Sequence, residues 1–120
     1  MRDYPKPIKR QLRDLMALAY ERELQRELRT LDQQFAAWRA GHLSSGDLSH
    51  QIHQFDTGPA RALWNRYQGS SAELAVAYAV VVGLLRREEV PPEVLAVLSG
   101  PLRFYQSLHD RNELQPPGEL

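Results

Sequence analysis

Residues 8–40 of this chain contain neither glycine nor proline, and no other feature restricts the fold as much. Good helix formers dominate the stretch, Pro7 suits a first helical turn, and Gly41 stands where a left-handed cap is expected. The spacing predicts one long N-terminal helix over about 8–40. At about 1.5 Å per residue such a rod reaches roughly 50 Å, more than the diameter of a compact globule of this size. The helix therefore forms one rod of an elongated bundle or projects towards a partner.

Its apolar pattern changes direction along the way. Ile8, Leu12, Leu15 and Ala19 share one face. Leu24, Leu28, Leu31, Phe35 and Trp38 share another, rotated by roughly 140° when residues are set at 100° intervals. Between them the segment LMALAY, residues 15–20, is apolar almost all round. Two arrangements satisfy this pattern. Helices of the same chain enclose the middle, or one half faces the domain core while Leu24, Leu28, Leu31 and Phe35 face a second subunit. Arg22, Arg26 and Arg29 repeat opposite the second stripe beside Glu23 and Glu27, which reads as a solvated face of mixed-sign pairs.

Beyond the loop GHLSSGD, Leu48, Ile52 and Phe55 give the apolar edge of a short helix that DTGP is expected to end. Pro59 then begins another, with Ala60, Leu63, Trp64 and Tyr67 inward and Gly69 as its stop. Ser70 and Glu73 have capping-box spacing at the start of the most hydrophobic helix, about 71–87, along which Ala75, Ala79 and Gly83 allow a close neighbour. A short helix from near Pro92 to Gly100 and a last one from Pro101, with Leu102, Tyr105 and Leu108 inward, complete the chain. No strand alternation or internal repeat appears. The expectation is a single all-α domain, a helical bundle in which the long helix packs on the hydrophobic one with three or four shorter helices. Residues 1–6 and 114–120 are expected to be loosely ordered.

Lys plus Arg, 15, balance Asp plus Glu, 15, so no global field steers the chain towards nucleic acid or an anionic membrane. The absence of cysteine excludes disulfides, thiolate nucleophiles and cysteine-based zinc sites. The longest apolar run, residues 74–85, is far short of the roughly 20 residues a bilayer crossing needs. The basic N-terminal segment has no apolar stretch of the secretory kind, and a cytoplasmic protein is expected.

Three groups of residues carry chemical interest. His50, His53 and Asp56 share the polar side of the short helix, but they offer too few ligands for a metal centre without a further donor. The same stretch, residues 48–68, has the outline of a helix-turn-helix, in which Arg61, Asn65 and Gln68 are types that contact base edges. Arg2, Lys6, Lys9, Arg10 and Arg13 against Asp3 make the N-terminus basic, suited to phosphates or an acidic partner. No phosphate loop, nucleophile elbow, zinc-protease motif or paired acid is present, so neither catalysis nor a cofactor is expected. The reading is a non-catalytic interaction or regulatory protein of a bacterial type, self-associating or bound to a protein partner. The alternative is a nucleic-acid-binding regulator that uses the helix-turn-helix-like corner and the basic segment.

Overall fold

In the computed structural model, which describes residues 4–69 and 71–116, the long helix α1 (Lys6–Arg39) runs the length of the molecule. Its 34 residues, at about 1.5 Å each, match the longest dimension of 53 Å. It ends as Gly41 implies. Gly41 has a φ of +80°, its N–H donates to the carbonyl of Trp38, and that of His42 donates to the carbonyl of Ala37.

Five further helices follow: α2 (Ser45–Phe55), α3 (Arg61–Gly69), α4 (Ala72–Val81), α5 (Pro92–Val97) and α6 (Ser99–Asp110). There is no strand among the described residues, and the fold is an all-α bundle. The core joins Ile8, Leu12, Leu15 and Ala19 of α1 to Leu63 and Tyr67 of α3 and to α4. Val94, Leu98 and Leu102 close it from the C-terminal side. Residues 75–79 of α4 are all buried, which makes this short helix the centre of the bundle. Tyr4 tethers the start of the chain through its hydroxyl to Glu73. At the other end Leu114 packs on the core and the Tyr78 hydroxyl donates to the Gln115 carbonyl at 2.7 Å. Of the termini expected to be loose, residues 1–3 and 117–120 lie outside the described residues.

Four local expectations are corrected. The corner at Gly58 and Pro59 does not form: α2 passes into α3 through a π-helical turn, Asp56–Ala60, without leaving helical geometry. Proline has no N–H and its ring crowds the carbonyl four residues back, and a wider turn accommodates both. Thr57, whose hydroxyl donates to the His53 carbonyl at 2.9 Å, back-bonds in the manner that bends helices. The turn also sets the phase of the rod. Phe55 and Tyr67 stand roughly 120° apart on a regular helix; five residues advancing by roughly 80° each bring them within about 30°.

The hydrophobic helix stops at Val81, well before residue 87, because Gly83 (φ +85°) acts as its left-handed cap and is not part of a packing stripe. Its N-cap is Ser71, whose hydroxyl accepts from the Leu74 N–H at 3.3 Å; Ser70 lies outside the described residues. The break between α5 and α6 falls at Leu98, before Gly100, since Pro101 cannot donate to the preceding turn. Ile52 and Trp64, expected inward, are 41% and 57% exposed on the outer shoulder of the α2–α3 rod.

Two glycines provide a test of this backbone. A Cβ at Gly83 meets nothing within 4 Å, so Gly83→Ala is opposed by the positive φ alone and costs about 1 kcal/mol. Gly58 is equally open but helical, and Gly58→Ala stabilises by roughly 0.5–1 kcal/mol. Urea denaturation resolves the opposite signs.

Candidate functional site

The face that α1 buries does not pass from its first apolar stripe to its leucines. It continues at four-residue spacing from Leu15 and Ala19 to Glu23 and Glu27, which are 1% and 9% exposed. Of the solvated face expected here, Arg26 and Arg29 are exposed, but the two glutamates are not. Residues adjacent in a helix stand about 100° apart, so Leu24 and Leu28 are each turned away from a buried glutamate.

Two carboxylates enter the bundle because α3 brings partners to one of them. The Glu23 carboxylate accepts from Arg66 Nη1 at 2.5 Å and from the Tyr67 hydroxyl at 2.9 Å. The Arg66 guanidinium lies over the Tyr78 ring, 4.8 Å from its centroid, and Tyr20 packs on Tyr67 with centroids 5.3 Å apart. Burial, reinforced by the charge of Glu23, raises the Tyr67 phenol well above its usual range. Tyr67 thus stands as a neutral donor to Glu23. Arg22, expected to reach into water, instead grips Glu89 with two hydrogen bonds of 2.7 Å and also donates to the Leu84 carbonyl at 2.9 Å. That grip pulls the Glu89 carboxyl down to about 2 and pins the α4–α5 connection to α1.

Glu27 has no such partner. Among the described residues its carboxylate makes no hydrogen bond or ion pair, and burial, then the nearby Glu23, raise its pKa. It opens into a cleft of about 240 Å³ between α1 and the α2–α3 rod. Thr30, Gln34, Gln51 and Gln54 supply the other polar groups there, and Leu31, Phe55 and Pro59 the apolar wall. A second cleft, of about 220 Å³, lies over Arg66 and Tyr78 between α4 and α6; these two side chains are already engaged, and Tyr105 and Gln115 are the other polar residues of its lining.

His50, His53 and Asp56 are all exposed, on α2 and the first residue of the π turn. Among the described residues no three His, Cys, Asp or Glu side chains meet as metal ligands. Arg61, Asn65 and Gln68 are exposed on α3, but the turn that would present them as a recognition helix is itself helical. Lys6, Lys9, Arg10 and Arg13 are exposed along the start of α1; Arg2 lies outside the described residues.

Of the residues expected to face a partner, Leu24 leans on the core, Leu31 and Phe35 are half-buried, and Leu28 is 46% exposed. Beyond Glu27 the arm made by the end of α1 and by α2 buries one apolar residue fully, Leu48, which stands apart from the main core. Trp38 caps the arm, its indole N–H donating to Ser45 Oγ at 3.0 Å. No described helix is long and apolar enough to cross a membrane. No protein-family model, curated protein or solved structure matches the chain at a significant level.

Proposed function

We propose that this chain is a non-catalytic helical interaction protein, of regulatory use in the cytoplasm, that pairs with a second copy of itself through the leucine face of α1. The observation that carries this reading is the exposure of Leu28 directly beside the buried Glu27. The chain places carboxylates in its own interior and leaves Leu28 of the same turns open, between the half-buried Leu24 and Leu31. A two-helix arm has no second layer to cover such a face, and another copy supplies one.

The spacing of that face favours self-pairing. Leu24, Leu28, Leu31 and Phe35 are separated by four, three and four residues, a series that reads the same in both directions. An antiparallel pair of α1 helices sets Leu24 against Phe35 and Leu28 against Leu31, twice over. Exposed Glu21 and Arg39 flank the stripe on the same side, and this pairing brings each Glu21 near the other copy's Arg39. Sedimentation equilibrium at tens of micromolar, an ordinary range for subunit affinity, is expected to give twice the chain mass of 13.8 kDa. A monomer at that concentration contradicts the proposal.

A further inference from the structure

Glu27 is nine-tenths buried and lines a cleft, and its carboxylate has neither a hydrogen bond nor an ion pair among the described residues. Burying a carboxylate without a partner costs stability, and a site that keeps one open to a cavity is poised to gain from a ligand that supplies the missing charge. The rest of the lining narrows the chemistry. It contains no lysine, arginine or histidine, so an anion would meet Glu27 and no counter-charge. A metal ion would find one carboxylate and neutral amides, too few charged donors to repay its dehydration.

An ammonium group fits better. Its three donors match the Glu27 carboxylate and the side-chain oxygens of Gln34, Gln51 or Gln54, while Leu31, Phe55 and Pro59 lie alongside an alkyl stem. We propose that the cleft between α1 and the π turn binds a primary alkylammonium group, with Glu27 as its counter-ion. Either a free amine or the end of a lysine side chain presents this group. The π turn belongs to the site, because Pro59 forms part of its wall and Phe55 immediately precedes the turn.

The test is calorimetric titration of the full chain with n-butylammonium and with Nα-acetyl-lysine N-methylamide, and with 1-butanol as the uncharged control. Saturable binding of either cation, weakened roughly tenfold or more by Glu27→Gln, supports the site, and a preference between the two identifies the source. Glu27→Gln removes a buried charge and is expected to raise Tm, so its loss of binding is not loss of fold. Gln51→Leu, which keeps the charge, is expected to weaken the cations and leave 1-butanol unchanged. No saturable binding of either cation, or equal binding by Glu27→Gln, overturns the proposal. Leu31 belongs both to this wall and to the face proposed to pair, so the titration is repeated on the Leu28→Asp chain, whose mass sedimentation reads separately.

Discussion

Replacing Arg66 with methionine is expected to lower the free energy of unfolding by about 3 kcal/mol, the largest loss of stability expected from one polar substitution in this chain. The reason lies in what is left behind. Arg66 has a side chain 21% exposed, whereas its partner Glu23 is 1% exposed and cannot move to water. Without the guanidinium the Glu23 carboxylate keeps only the Tyr67 hydroxyl, and the Tyr78 ring loses the cation above it. The residual exposure of Arg66 keeps the expected cost at the low end of the range for broken buried pairs.

A double variant separates this account from a simple packing defect. Adding Glu23→Gln to Arg66→Met removes the stranded charge, while the new amide oxygen still accepts from Tyr67. The double variant is expected to recover more than half of the loss, as chemical denaturation will show. A double variant less stable than Arg66→Met alone would mean that the carboxylate is stabilised by something other than the arginine.

The second large effect is on association. Leu28→Asp is expected to weaken self-pairing by a factor on the order of 10³, because each of two copies loses an apolar contact near the centre of the interface and gains a desolvated charge. Its effect on the monomer is expected to stay within about 0.5 kcal/mol, since Leu28 is 46% exposed in the isolated chain. Sedimentation and denaturation on the same sample measure the two quantities. A fall in stability without a change of mass would return Leu28 to the chain's own fold.

Much of the fold is legible from residue type and spacing. The absence of glycine and proline over 8–40 announces α1, Gly41 its end, and the apolar density after Ser71 the central helix. The features that escape such reading depend on distant partners. Glu23 looks like a surface residue beside Arg22 and Arg26, because the groups that make its burial tolerable, Arg66 and Tyr67, come more than 40 residues later. One signal was available: extending the spacing of Ile8, Leu12, Leu15 and Ala19 by fours arrives at Glu23 and Glu27.

The π turn was hidden for a different reason. Glycine followed by proline is a strong local mark of a break, and only the need to keep Leu63 and Tyr67 facing the same core as α1 carries the helix through it. The histidines show the converse. His50 and His53 attract notice as residue types, yet they stand on the outer side of α2 and meet no third ligand among the described residues. Glu27, which residue type alone does not distinguish from its neighbours, is a charged group that the fold leaves without a partner in a cleft.

The central claim is that α1 buries Glu23 and Glu27 and turns its leucines towards an antiparallel second copy. A single spin label tests it most directly. The chain has no cysteine, so Asp14→Cys on the exposed side of α1 gives one label per copy. Pairing Leu28 with Leu31 places the two labels about 31 helical residues apart along the interface, and a distance distribution centred at roughly 45 Å is expected from pulsed dipolar spectroscopy. A distance below about 20 Å, which parallel helices would give, or a sample with no dipolar coupling, contradicts the account.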